Sequence, residues 1–404
     1  MVLDGITVVD TTTGVSGPYC SLLLAGLGAR VIKIEPAAGD WLRSVGPPWI
    51  GSDGAAAAHL NRGKESVVLD LDAEPGRDLL RALLADADVF LHELTVAEAA
   101  SRGLDPDALR RVTPGLVDCA VTPLGEVGPW SALPASELEV QSLSGVHRYL
   151  GGLDAPPVRL GADVGGVLAG CTAFHAVLAG LLAREAVGGQ HAAVSQLGAL
   201  LGTGTVMIAA LDDPDEWTGF HCNAATYPPD QGIPTADGRL YYGQPLRSEE
   251  AWQRFCHDIG AEALLDDPRF ATRALRMPHM AELRVALEPY FRRFPTAELM
   301  EHIVRSDGIG VPVNDHAELV AHPQVQALEQ VVETGVGPAL GLPWRRRDEE
   351  LPRPTGAVPA IGGDTRAVLA QLGHDPDEIE RLVAAGVAGA PPAADVPATR
   401  GGRT

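Results

Sequence analysis

Ile6-Thr7-Val8-Val9-Asp10, the turn Gly14-Val15-Ser16-Gly17-Pro18, and Arg30-Val31-Ile32-Lys33-Ile34-Glu35 decide the fold. Two short apolar runs of strand length flank a segment, Pro18 to Leu27, that opens with proline and continues in leucine and alanine. Proline suits the first turn of a helix, where the missing N–H has no intrahelical partner anyway. Strand, helix and strand joined by short connections make a parallel pair, and the pattern recurs. Ser66 to Asp70 reads as a third strand, Gly76 to Ala85 as a helix, Ala87 to Leu91 as a fourth strand and Leu116 to Val121 as another. The expected class is α/β, a doubly wound (Rossmann-like) parallel sheet covered on both faces. The turn is not G-x-G-x-x-G, and Pro18 removes an N–H that a pyrophosphate would use, so no nicotinamide cofactor is expected.

Outward from this core, Val164 to Ala183 carries no charge over the length that spans a bilayer. It is rich in glycine and alanine and contains His175, so it is read as a helix buried on all sides within a domain, with no membrane partner. Asp212 to Gly232 is rich in Pro, Asp and Asn. Beyond it come a strand at Gly238 to Tyr242 and amphipathic helices at Glu249 to Ile259 and Met280 to Phe291. The expected organisation is a large domain over 1–210, a linker over 211–232 and a smaller α+β domain over 233–330. A return linker over 331–352, a C-terminal segment over 353–385 packing back on the large domain, and a disordered tail over 386–404 complete it.

The chain has 404 residues, with 31 Lys+Arg against 53 Asp+Glu and a formal charge of −22. So acidic a surface repels phosphate backbones, which argues against nucleic-acid binding. An anionic ligand must instead meet a local basic cluster or backbone N–H groups. The five cysteines are scattered without a C-x-x-C pair, and the N-terminus lacks a basic region followed by an apolar block. A reduced, cytoplasmic setting is expected. No P-loop, H-E-x-x-H or G-x-S-x-G phrase is present, and the histidines are scattered, so no metal site is expected.

A series of phrases, in order along the chain, resembles the family III CoA-transferases, the carnitine/bile-acid CoA-transferase family that also contains α-methylacyl-CoA racemases. They are Leu3-Asp4-Gly5-Ile6, Leu27 to Pro36 with Gly39-Asp40 and Arg43, Asn61-Arg62-Gly63-Lys64, and Ala87-Asp88-Val89. Arg102-Gly103-Leu104, Gly128-Pro129-Trp130, Gln141 with Ser144-Gly145, and Ala162-Asp163-Val164-Gly165-Gly166 follow, with Leu372-Gly373 near the end. The resemblance runs from residue 3 to about 382.

It implies that Asp163 attacks an acyl-CoA thioester, with coenzyme A as substrate and acyl carrier, a carboxylic acid as acceptor, and an interlocked homodimer as the working unit. Asp163 also stands where a helix would begin, and aspartate is a favoured N-cap, so a capping role competes with a chemical one. The N–H groups of Gly165 and Gly166 suit an oxyanion, or the glycines permit close helix packing. The resemblance also implies CoA contacts from Arg102, Arg43, Arg62 and Lys64 and from the turn residues Val15 and Ser16. A racemase of this kind would need the histidine of a G-H-D phrase where this chain reads Ala135-Ser136-Glu137, with Ser136 in the histidine's place. Serine is a poor base for a carbon-bound proton, so racemase chemistry is the secondary reading, beside a CoA-binding or lyase member of the same fold. Glu137 is expected to help position substrate.

Overall fold

The computed structural model describes residues 1–50, 53–149, 156–204, 232–244, 248–334, 337–343 and 357–389. Two compact units emerge. One comprises Met1–Ser144, Gly161–Thr203 and Pro323–Thr404, the other Gly145–Leu160 and Gly204–His322.

The first unit is built on β1 (Thr7–Asp10), α1 (Ser16–Gly26), β2 (Arg30–Glu35), a short hairpin of β3 (Pro48–Ile50) and β4 (Asp53–Gly54), and α2 (Ala55–Leu60). There follow β5 (Glu65–Val68), α3 (Glu74–Ala85), β6 (Val89–His92), α4 (Val96–Arg102), α5 (Pro106–Val112) and β7 (Val117–Thr122). Then come α6 (Glu137–Leu143), α8 (Val164–Val187), β8 (His191–Ser195) and α9 (Gln196–Leu201), with α7 (Val146–Tyr149) lying in the second unit. Six of the strands form one sheet in the order β5-β2-β1-β6-β7-β8, every neighbouring pair parallel. Counted by appearance in the chain, that is 3-2-1-4-5-6, whose connections reverse direction between β1 and β6.

The central strands are buried on both faces, as an all-parallel sheet requires. Val8, Val31, Leu91 and Cys119 point to one face, beneath α1 and α8. Val9, Ile32, Val67 and Phe90 point to the other, beneath α3 and the C-terminal helices Thr365–Gln371 and Pro376–Ala384. Burying each large side chain there contributes about 1.5–3 kcal/mol.

The C-terminal segment also closes the free edge of β5. Asp364 Oδ2 accepts the Ser66 N–H at 2.8 Å, Thr365 Oγ1 accepts the Val68 N–H at 3.0 Å, and Val387 O accepts the Asp70 N–H at 2.9 Å. Residues 386–389, expected in a disordered tail, therefore belong to the ordered edge. Residues 390–404 lie outside the described residues, as do the expected linker at 211–231 and residues 344–352 of the return linker. The first part of that return linker is an antiparallel hairpin, β12 (Val331–Thr334) with β13 (Gly337–Leu340).

The second unit contains a three-stranded antiparallel sheet, β9 (Ile233–Pro234), β10 (Leu240–Gln244) and β11 (Ile309–Pro312), in the order β11-β10-β9. Trp252, Phe255, Phe270, Leu283 and Phe291 form its core. It takes in residues 145–160 and ends near His322, a different division from the expected 233–330.

Helix α8 corrects the expectation of a segment buried on all sides. Its inner face, from Gly166 and Gly170 through Ala173 and Val177 to Gly180, packs against the sheet and α1. A side chain at Gly170 would place its Cβ 2.6 Å from Ser16 O, and one at Gly180 2.7 Å from Val117 Cγ1, so glycine sets how closely the helix approaches. The outer face is exposed, with Leu182 at 87% and Val187 at 65%. By length and composition alone α8 could cross a membrane.

Candidate active site

Asp163 immediately precedes α8, and its carbonyl accepts the Val167 N–H at 3.0 Å. Its side chain makes no capping hydrogen bond, is exposed, and has no hydrogen-bond partner among the described residues. The cap comes from another helix. Glu137, the first residue of α6, accepts the Gly165 N–H on Oε1 at 2.6 Å and the Gly166 N–H on Oε2 at 2.8 Å. A carboxylate there satisfies two amides that have no intrahelical partner and meets the positive end of the helix dipole. Asp163 is thereby relieved of the capping duty that its position suggests.

This corrects two expectations. The Gly165 and Gly166 amides expected to face an oxyanion are engaged by Glu137, and Glu137 holds the helix terminus. The glycines permit the contact, since a Cβ at Gly165 would sit 3.0 Å from Glu137 Oε1. Gln141, one turn on in α6 and 1% exposed, donates through Nε2 to Glu137 Oε1 at 2.6 Å and to the Ala162 carbonyl at 2.8 Å. The backbone on either side of Asp163 is thus fixed from α6. Ser136 lies exposed at the start of α6, its N–H donating to Glu139 Oε2 at 2.8 Å, so a helix cap occupies the place where a racemase would need a base.

Val15 and Ser16 come to the same place from α1. A Cβ at Gly166 would lie 3.1 Å from Val15 Cβ, and Ser16 Oγ accepts from Gln196 Nε2 at 2.8 Å. No side chain caps α1. A buried charge cluster shapes the loop before it. Asp10 accepts the Thr12 N–H at 2.9 Å, Lys33 donates to the Thr12 carbonyl and lies 3.3 Å from Asp40, and Lys64 donates to the Pro18 carbonyl at 3.0 Å. Burial pulls the Lys64 ammonium down to about 7, against the nearby Asp10 carboxylate that favours its charge.

Three of the cations expected at CoA are therefore turned inward. Arg43 holds both oxygens of Glu35 at 2.8 and 2.7 Å and Asp53 at 2.8 Å. Arg62, 2% exposed, donates to the His59 and Leu340 carbonyls, and the Lys64 side chain is fully buried. A buried cation must be paired, and these are paired within the protein, which corrects their expected place at a phosphate.

Arg102 is placed differently. It ends α4, where Gly103 takes φ 64°, the left-handed conformation that terminates a helix most readily as glycine. Its guanidinium lies 3.5 Å from the exposed Asp72 carboxylate. It faces a cavity of about 240 Å³ lined also by Thr11, Phe90, Glu93, Leu94 and Leu104. Thr11 follows β1, and Glu93 and Leu94 follow β6, so the cavity opens at the carboxyl ends of the two strands between which the connections reverse. Open α/β sheets bind their ligands at such a crevice. The loop from Thr11 to Val15 has one end in this cavity and the other against Gly166, a span of at most about 14 Å.

The structure also assembles a group that the sequence leaves scattered. His92, Asp118 and His191, on β6, β7 and β8, place their polar atoms within 4.8 Å of one another. Glu126 joins them. Parallel pairing of Asp118 with His191 and of His92 with Ala120 brings these side chains to one face, a relation that needs the strand order to be seen.

Comparison with known proteins gives a consistent result. The model of CoA-transferase family III matches residues 3–365. The chain is 32% identical over 337 residues to the succinate–glutarate CoA-transferase of Agrobacterium fabrum, covering 80% of this chain and 83% of that one. It is 27% identical over 404 residues to the succinyl-CoA:glutarate CoA-transferase of Mus musculus, covering 95% and 90%. Among solved structures it is similar to a CAIB/BAIF family protein from Brucella suis, with a TM-score of 0.82 and 27% identity over 92% of this chain and 99% of that one.

Proposed function

The chain belongs to CoA-transferase family III and is an acyl-CoA:carboxylate CoA-transferase, and we propose that Asp163 is the residue that carries its acyl and CoA groups. The Asp163 carboxylate attacks the donor thioester carbonyl, the C–S bond breaks, and CoA leaves as thiolate from an aspartyl-acyl anhydride. The thiolate then attacks the Asp163 carbonyl, releasing the donor acid and leaving an aspartyl-CoA thioester. The acceptor carboxylate attacks that thioester to form a second anhydride, whose acceptor carbonyl takes back the thiolate. New acyl-CoA departs and Asp163 is restored, with no net consumption of water.

One observation carries this reading: the Asp163 carboxylate is exposed and unbonded at a helix terminus already capped by Glu137. A nucleophile must be accessible, and a capping carboxylate is not. Arg102 and its cavity supply a place for the nucleotide end of CoA: Phe90, Leu94 and Leu104 offer apolar surface to the flat base, and the Arg102 and Arg77 guanidinium groups, set among Glu93 and Glu98, offer partners to a phosphate. The uncapped N-terminus of α1 at Val15 and Ser16 keeps amides for a pyrophosphate, one fewer than a helix start without Pro18 would offer.

The test is intact mass spectrometry after incubation with succinyl-CoA. A hydroxylamine-sensitive adduct on the wild type and none on Asp163→Ala supports the reading; an adduct that persists in the variant defeats it.

A homodimer in the cytoplasm forms part of the same proposal. The apolar outer face of α8, with Leu182 87% exposed, is a surface that a second copy would cover. A stable folded monomer in sedimentation would contradict it.

A further inference from the structure

The group on β6, β7 and β8 lies outside the chemistry just described. His191 Nδ1 is 2.7 Å from Asp118 Oδ2 and its Nε2 is 2.9 Å from Glu126 Oε2, so the ring is an imidazolium donating to two carboxylates. Asp118 Oδ1 lies 3.0 Å from His92 Nε2, close but without the alignment of a full hydrogen bond. On its other side, His92 Nδ1 accepts the Leu94 N–H at 3.2 Å.

That last bond decides between two readings. A nitrogen that accepts carries no proton, so the proton of neutral His92 sits on Nε2, the atom facing Asp118. A metal on Nε2 would force the proton onto Nδ1, against the Leu94 N–H, whereas a metal-bound histidine ordinarily donates from its second nitrogen. The arrangement is that of a chain holding protons.

Its inner end reaches the Arg102 cavity. The His92 and Phe90 rings lie 4.9 Å apart at 30°, and Phe90 and Leu94 both line that cavity. His92, 2% exposed, touches no solvent and stands directly behind the wall. We propose that His92 is a positioning residue for CoA: by accepting the Leu94 N–H and packing on Phe90 it sets the wall against which the nucleotide end lies. The inference rests on the reading of that cavity as the CoA site.

Two substitutions separate the two ends of the ring. His92→Asn keeps an acceptor near the Nδ1 position for Leu94 and loses the contact with Asp118. His92→Gln keeps a donor toward Asp118 and loses the acceptor. Binding of desulfo-CoA, which cannot react, is measured by calorimetry on the full chain, with thermal midpoints recorded alongside.

The expected result is that His92→Gln weakens binding about 5- to 30-fold, the loss of one buried hydrogen bond and its wall. His92→Asn stays within about 3-fold of the wild type, even where its thermal midpoint falls further. Equal loss in both variants, or loss in neither, overturns the inference, as does a zinc-dependent rise of the wild-type midpoint that His92→Gln abolishes. Arg102→Ala is the control for the underlying reading. Weakening in Arg102→Ala with none in His92→Gln defeats the positioning role alone, whereas unchanged affinity in both defeats the cavity assignment with it.

Discussion

Glu137 caps the helix that Asp163 begins, its two carboxylate oxygens accepting the Gly165 and Gly166 N–H groups at 2.6 and 2.8 Å. An aspartate at a helix start ordinarily spends its side chain on those amides. Here the duty is transferred to α6, and the aspartate keeps an unengaged carboxylate on a rigid element.

Asp163→Asn is expected to abolish CoA transfer, with kcat down at least about 10³-fold, since an amide cannot form the anhydride. Folding stability should change by less than about 0.5 kcal/mol, as for an exposed side chain without partners. Steady-state kinetics and urea denaturation on the same preparation check both halves.

Glu137→Ala should separate differently. Loss of the cap costs about 1 kcal/mol of stability. The freed first turn displaces Asp163, for which a fall in kcat of about 10- to 100-fold is expected. A variant that lost stability with unaltered kcat would show that the cap does not position the nucleophile.

For Arg102→Ala, the KM for acyl-CoA should rise about 10- to 100-fold, the range of one charge-assisted contact, while kcat changes little. Raising ionic strength should weaken wild-type binding more than that of the variant.

The proton on His191 is held up to about 9 by its hydrogen bond to Asp118, then by the contact with Glu126, against the opposing effect of burial. The folded value lies above the ordinary 6.5, so the network's stabilisation is complete below about pH 6.5 and is lost as pH rises toward 9. The stability difference between wild type and His191→Gln should be on the order of 1–3 kcal/mol at pH 6 and vanish above pH 9. Measuring the difference removes the contribution of Lys64, which runs in the opposite direction.

Gly170→Ala should destabilise by about 1–3 kcal/mol, because the new methyl would sit 2.6 Å from a backbone oxygen of α1. A neutral outcome in thermal unfolding would mean that the two helices can part without cost.

What was legible in the sequence follows the range of the forces involved. β1, β2 and β7 read directly from apolar runs, and Met280–Phe291 from helical periodicity, because both signals are local. β8 is not legible in the sequence, since His191-Ala192-Ala193-Val194-Ser195 has little β-branched character and is a strand mainly through its pairing with β7. The sequence reads the β12–β13 hairpin as part of a linker, because its two short strands are defined by their pairing with each other. The resemblance places Arg43, Arg62 and Lys64 at CoA because it rests on motif position, which cannot tell a ligand-binding cation from one paired inside the protein with Glu35, the Leu340 carbonyl or the Pro18 carbonyl. Glu137 stands out in the sequence, yet its role does not, because its partners lie 28 and 29 positions away.

The seam between β5 and residues 362–389 bears on how the protein tolerates early termination. A chain cut ahead of Gly362 would keep every residue proposed for chemistry, yet leave one rim of the sheet with bare amides and carbonyls. Such rims recruit neighbouring chains, so a late stop codon should yield aggregates rather than a soluble enzyme that still turns over. During synthesis the sheet likewise stays unsealed until residues 362–389 have emerged.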